Sequence, residues 1–288
     1  METLEATSMT TPLIELRDIR KSFGAVVALR GVSLDVRPGE TFALLGDNAA
    51  GKSTLMKVLT GVHQPDEGSV LFDGEQVTFA TPAASRSRGI EMIYQDFALA
   101  DNLDVRSNIF LGREPRKNLL GPLLRIVDRK LMERETRRVL DSLDIEINPK
   151  LKVRRLSGGQ RQAVAIGRAL AFDARLIVMD EPTANLSVAK VDKLIEVTQR
   201  LKQLGIAVII ITHRLDEAFA VADRMAVMRH GEVVGRFAVG DVNETDVAHL
   251  ISTGVMGGSG ATSNERRLIG STSSSVTTES HSAKEADA

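Results

Sequence analysis

Nine consecutive residues, Gly46-Asp47-Asn48-Ala49-Ala50-Gly51-Lys52-Ser53-Thr54, set two glycines, a lysine and a hydroxyl at the spacing G-x-x-x-x-G-K-[ST]. That spacing suits the phosphates of a nucleotide. Backbone N–H groups of the turn and of the helix after it face phosphate oxygens, the Lys52 ammonium supplies a point charge to the β- and γ-phosphates, and the Ser53 hydroxyl is placed for Mg2+. A second stretch, Leu156-Ser157-Gly158-Gly159-Gln160, also offers backbone N–H groups and small donors, as an anion nest does. The chain therefore carries two cradles for one kind of group. Three further positions bear chemistry: the adjacent carboxylates Asp180 and Glu181, the imidazole of His213, and the amide of Gln95, each at the end of a short, mostly apolar run.

Those runs are the elements that must position the polar groups. Residues 41–45 lead into the phosphate loop and residues 55–59 leave it as a helix, whereas residues 176–179, 208–212 and 90–94 end at Asp180, His213 and Gln95. Strands buried on both faces of a parallel sheet read as continuous apolar runs, and ligands bind beyond their carboxyl ends. The expected fold is α/β, with loop, acidic pair, amide and imidazole on one sheet edge. Residues 13–20, 32–36 and 70–72 alternate in part and are split by turn signals at Gly24, Pro38-Gly39 and Asp73-Gly74, which predicts an antiparallel β flank on the main sheet. Phe23 is read as outside these strands. Between residues 96 and 155 the pattern turns helical, notably over 128–143, and predicts an inserted helical subdomain, about 96–157, that delivers the second glycine-rich stretch to the start of a helix over 162–171. The domain is expected over 12–253, after an N-terminal tail of residues 1–11. The Gly, Ser and Thr of residues 254–288 read as a disordered tail.

Composition narrows the class further. With 288 residues and 43% apolar content the chain can build a large core, and 37 basic against 38 acidic residues give no broad basic footprint for nucleic acid. Cysteine is absent, which excludes disulfides and thiolate metal sites. The longest apolar run, residues 206–211, is far too short to span a bilayer, and the amino terminus lacks a signal peptide's pattern, so membrane association is expected only through a partner.

Taken together, the motifs resemble those of the ATP-binding cassette (ABC) ATPases, over about residues 13–250. The stretch 156–160 matches the signature motif of that superfamily, and the resemblance implies a P-loop NTPase fold of the ABC-cassette type that binds ATP and Mg2+. It also implies a head-to-tail dimer with a second copy, in which each ATP lies between the phosphate loop of one cassette and the signature of the other. Residues 46–48, Gly61-Val62-His63-Gln64-Pro65-Asp66-Glu67-Gly68, Ile93-Tyr94-Gln95-Asp96 and residues 108–114 look most like bacterial monosaccharide importers of the ribose, xylose and fructose type. The resemblance then implies ATP hydrolysis at the cytoplasmic face of the membrane, coupled to transmembrane permease subunits and, through them, to a periplasmic or extracellular sugar-binding protein.

Roles implied by the resemblance fall on matching positions. Asp180 is the Mg2+-sphere carboxylate, Glu181 the general base that polarises water, His213 the γ-phosphate contact, and Gln95 the loop amide that reaches metal and water. Phe23 sits where the family stacks an aromatic ring on adenine. Two departures stand out. Ala49 occupies a usual glycine position, and if φ is positive there, alanine costs roughly 1–2 kcal/mol of backbone strain. In Ala184-Asn185-Leu186-Ser187, Ser187 replaces a usual aspartate in the loop that couples the two sites. Two other readings are disfavoured: an ATP-gated dimerising module with weak hydrolysis, by the intact Glu181 and His213, and a soluble cassette acting on DNA or the ribosome, by the single cassette and the 157 − 52 = 105 residues from Lys52 to Ser157.

Overall fold

The computed structural model of the chain describes residues 11–118, 125–182 and 191–256. The elements run β1 (Ile14–Phe23), β2 (Val26–Val36), β3 (Thr41–Gly46), α1 (Lys52–Leu59), β4 (Glu67–Phe72), β5 (Glu75–Val77), α2 (Pro82–Ser87) and β6 (Ile90–Ile93). There follow α3 (Val105–Ile109), β7 (Arg116–Asn118), β8 (Arg125–Val127), α4 (Arg129–Ser142), α5 (Gly158–Leu170), β9 (Leu176–Asp180) and α6 (Val191–Gln203). The last are β10 (Ala207–Ile211), α7 (Leu215–Val221), β11 (Arg224–Arg229), β12 (Glu232–Ala238) and α8 (Glu244–Thr253). Residues 1–10, the loop 183–187 with Ser187, and the tail 257–288 lie outside the described residues.

The main sheet has the order β12-β11-β3-β10-β9-β6, parallel throughout except for the β11–β12 hairpin. Its inner strands are the continuous apolar runs. β3 and β10 are buried at every residue and β9 at all but Asp180, because the sheet is covered on both faces. The expected antiparallel flank forms, but as a sheet of its own, β2-β1-β4-β5, rather than an extension of the main one. A shared hydrophobic core unites the two: Ile14, Leu16, Leu29, Val70 and Phe72 of the antiparallel sheet pack with Phe42, Leu44 and Ile209 of the main sheet and with Leu55, Met56 and Leu59 of α1. Burial of so many large side chains at ~1.5–3 kcal/mol each outweighs the absence of ladder hydrogen bonds between the sheets.

Between residues 96 and 157, α4 occupies nearly the stretch predicted, capped by Asp128, whose carboxylate accepts from the N–H groups of Lys130 and Leu131. A separate apolar cluster holds this region together: Val105, Ile109, Phe110, Met132, Leu140 and Val153, joined by Leu156 and Val164 at the start of α5. The short β7–β8 hairpin was not expected there. Another cluster fastens α5 and α6 to the opposite face of the main sheet through Ile166, Ile177, Leu194, Leu201 and Ile210.

Candidate nucleotide-binding site

β3 stops at Gly46, where the chain turns so sharply that φ is +148°. A side chain there would collide with the Met228 carbonyl of β11, so only glycine lets the loop lie against the sheet edge. Gly51, at φ +102°, then caps α1 without a side chain, and a Cβ there would meet the Ala28 carbonyl of β2 at 2.8 Å. Lys52 is buried, and its ammonium donates to the carbonyls of Gly46 at 2.7 Å and Asp47 at 2.9 Å. Two of its three N–H donors thus hold the loop closed, and the third remains for a phosphate oxygen. Burial pulls the Lys52 pKa down, opposed by the charges of Glu181, Asp47 and Asp180. Ser53 is exposed on the first turn of α1, and Ala50 is tied down by Gly231 N–H at 3.0 Å.

Ala49 takes φ +64°, the left-handed region in which alanine is strained. Its position is exposed, so the strain is one of backbone rather than of packing. Replacing it with glycine removes ~1–2 kcal/mol of strain but adds unfolded-chain entropy, for a net stabilisation of about 0.5–1 kcal/mol. Thermal unfolding of Ala49→Gly is therefore expected at a midpoint ~1–4 °C above the parent. An equal or lower midpoint would show that the loop tolerates alanine without strain.

The parallel ladder places the acidic pair and the imidazole beside this loop. Asp180 pairs with Ile211 in the β9–β10 register, and the Glu181 N–H continues the ladder to the Ile211 carbonyl at 2.9 Å. Glu181 has φ +45°, a strained conformation for a non-glycine residue, of the kind that clusters at functional sites. Its Oε1 lies 3.1 Å from His213 Nδ1. Burial, and next the neighbouring Glu181 charge, push the Asp180 pKa up, while Lys52 and Lys57 oppose them. A half-buried carboxylate held against its own ionisation is a ready partner for a cation. With the exposed Ser53 hydroxyl it makes a hard-oxygen donor set, which suits Mg2+ bound jointly with phosphates. Gln95 stands exposed two residues beyond the end of β6, on the same sheet edge. Among the described residues, no hydrogen bond joins it to Lys52, Asp180 or Glu181.

Phe23 is not outside the strands. It is the last residue of β1 and pairs with Val26 across the hairpin. The strand runs three residues beyond residue 20 because its end is fastened to the loop after α1: Asp66 accepts from the Lys21 ammonium at 2.6 Å and from the Ser22 N–H at 2.7 Å. The Phe23 ring is 43% exposed and meets His63 edge-on, with centroids 5.1 Å apart. Exposed Val26 and Val27 adjoin it. A half-open aromatic ring beside valines is a stacking surface for a flat heterocycle.

The second glycine-rich stretch starts α5 as expected, although the helix begins at Gly158 rather than at 162. Leu156 is buried in the core of the 96–157 region. Ser157 and Gln160 form a capping box: Ser157 Oγ accepts from the Gln160 N–H at 3.3 Å, and Gln160 Oε1 accepts from the Ser157 N–H at 3.0 Å. The Gln160 amide is thus engaged within the helix. What the turn offers outward is the Ser157 hydroxyl proton and the N–H groups of Gly158 and Gly159 at the positive end of a 13-residue helix. Among the described residues, no hydrogen bond links this turn to the phosphate loop of the same chain.

Sequence reasoning missed the group behind His213. Thr212 and Arg214 flank it and both contact Glu217 of α7, a buried carboxylate. The only signal was an acid in the first turn of the helix that follows the strand.

The chain is similar to several known proteins. The family model for ABC transporter matches residues 29–184. The xylose/arabinose import ATP-binding protein XylG of Sulfolobus acidocaldarius is 45% identical over 246 residues, which cover 85% of this chain and 96% of that protein. Ribose import ATP-binding protein RbsA 3 of Rubrobacter xylanophilus is 43% identical over 83% of this chain, which spans only 47% of that protein's length. Among solved structures, the ADP conformation of MJ1267, an ATP-binding cassette of an ABC transporter, aligns with a TM-score of 0.72 and 30% identity over 85% of this chain and 96% of its own. Matched by that family model over residues 29–184 and 45% identical to XylG over most of both proteins, the chain belongs to the ABC transporter family.

Proposed function

We propose that this chain is the ATP-binding and ATP-hydrolysing subunit of an ABC importer that energises uptake of a monosaccharide, of the xylose, arabinose or ribose class, through a separate permease. The observation that carries this reading is the sheet edge where Lys52 closes the phosphate loop through the Gly46 and Asp47 carbonyls, Asp180 ends β9 beside β10, and Glu181 Oε1 lies 3.1 Å from His213 Nδ1. Similarity to XylG over almost the whole of that protein supports the sugar class.

In the proposed mechanism, ATP rests its adenine on Phe23 and its β- and γ-phosphates on the N–H groups of residues 46–54 and on Lys52. Ser53 and Asp180 would hold Mg2+, with Gln95 on the same sheet edge, and the ion would neutralise charge that develops on the phosphates. Glu181 orients and polarises the attacking water, and His213 faces the γ-phosphate from the end of β10. The Ser157 hydroxyl and the Gly158 and Gly159 N–H groups of a second copy close over the γ-phosphate from the other side, so the working unit is a homodimer. No helix among the described residues is long and apolar enough to cross a membrane. On this reading the chain works at the cytoplasmic face, held there by the permease and acting indirectly on a sugar-binding protein.

The test is ATP turnover by the chain reconstituted with its permease and challenged with binding protein loaded with xylose, arabinose, ribose or fructose. Stimulation by one of these sugars is expected. Turnover indifferent to all of them would remove the sugar assignment and leave the ATPase reading standing.

A further inference from the structure

His213 has few contacts of its own: its side chain is 55% exposed, and its one hydrogen bond among the described residues is to Glu181. Its neighbours, by contrast, are pinned. On one side, the Thr212 hydroxyl donates to Glu217 Oε2 at 3.0 Å in a buried contact. On the other, an Arg214 guanidinium nitrogen lies 3.2 Å from Glu217 Oε1. The circuit closes locally, since the Arg214 N–H donates to Thr212 Oγ1 at 3.0 Å. One carboxylate therefore fixes the residues immediately before and after His213.

That carboxylate is expensive to place where it is. Glu217 is 1% exposed, and its Oε1 has no hydrogen bond beyond the ion pair with Arg214. Burial pushes its pKa up, against the Thr212 hydrogen bond and the Arg214 and His213 charges, while the Asp216 charge adds to the rise. Helix α7 does not need it. Asp216, exposed in the same turn, already places an acid at the positive end of the helix, and the buried neighbour Ala218 packs in an apolar cluster. A costly buried charge whose side-chain polar partners, among the described residues, are the two residues bracketing an imidazole points to a role in holding that imidazole.

Resting on the reading of His213 as the γ-phosphate contact, we propose that Glu217 is a positioning residue for hydrolysis, which acts through Thr212 and Arg214 to fix the backbone turn that presents His213. Glu217 touches neither nucleotide nor water in this role. Its loss should lower the rate of the chemical step and leave ATP binding alone, because Lys52 and Phe23 belong to other elements.

The experiment compares kcat, KM for ATP and the thermal midpoint in Thr212→Val, Thr212→Ser and Glu217→Gln, with His213→Ala as control. Thr212→Val keeps the side-chain shape and removes both hydroxyl bonds; it and Glu217→Gln are expected to lower kcat about tenfold or more with KM within ~2-fold of the parent, since small misplacements of an acting group are felt in rate. Thr212→Ser restores the hydroxyl and should restore kcat. Parent-like kcat in Thr212→Val and Glu217→Gln, alongside lost turnover in His213→Ala, overturns the proposal even if the midpoint falls, because only a structural role then remains. Full turnover in His213→Ala overturns the reading of His213 itself, and the proposal with it.

Discussion

Glu181→Gln is expected to lose ATP turnover by ~10^2–10^4-fold, the range for removal of a general base, with ATP affinity close to that of the parent. The substitution keeps the length of the side chain and its reach to His213 Nδ1, now 3.1 Å from Oε1, so the geometry of the turn survives. What disappears is the negative charge that polarises water. The charge that helps to hold the Asp180 pKa up also disappears, because Glu181 is the second cause, after burial, of that rise. Cation binding at Asp180 should therefore be undiminished. With hydrolysis blocked and ATP held, the closed dimer accumulates, which size-exclusion chromatography with ATP would record beside a single-turnover assay. Parent-level turnover would remove Glu181 as the base.

Gly159→Asp is expected to bind ATP within ~3-fold of the parent yet hydrolyse it at least ~100-fold more slowly, comparable to losing a main-chain donor to a developing anion. Gly159 occupies the second position of α5, where its N–H is one of those left without a helical acceptor, and the Ser157–Gln160 capping box does not engage it. An aspartate there places a negative charge against a γ-phosphate at the positive helix end, which reverses the electrostatics of the turn. The phosphate loop of the same chain, with Lys52 bonded to Gly46 and Asp47, is untouched. Binding and turnover measured on one preparation decide the matter. Unimpaired turnover would mean that the signature turn does not meet the nucleotide.

Much of this site was legible because it lies at the ends of strands buried on both faces, where composition alone marks the element and its last polar residue marks the edge. Asp180, His213 and the phosphate loop came out this way, and so did α4, whose cap Asp128 and apolar spacing are local signals. The misses have different causes. β7 is exposed at every residue and β8 nearly so, which leaves no alternation to read. Phe23 joined β1 through Asp66, a partner 44 residues from Ser22 that no local pattern reveals. The antiparallel strands were seen but their sheet was not, since whether two sheets merge depends on ladder partners rather than on sequence period. From sequence, the stretch holding Ser157 and Gln160 reads as an anion cradle; in the fold, their side chains also close the helix end as a capping box. Glu217 escaped because the burial of a carboxylate depends on what packs over it.

The division into two sheets bears on how the nucleotide behaves as a ligand. Phe23 belongs to β1 of the antiparallel sheet, whereas Lys52 follows β3 of the parallel one. On the proposed reading, base and phosphates are thus captured by separate frameworks, and ATP acts as a bivalent molecule whose ribose is the tether. Once the triphosphate is seated, the base meets Phe23 at the effective concentration set by that short tether rather than at the concentration in solution. Neither half of the site needs to bind tightly alone, and a weakly stacking, half-exposed ring is then enough to discriminate between nucleotides whose phosphates are identical.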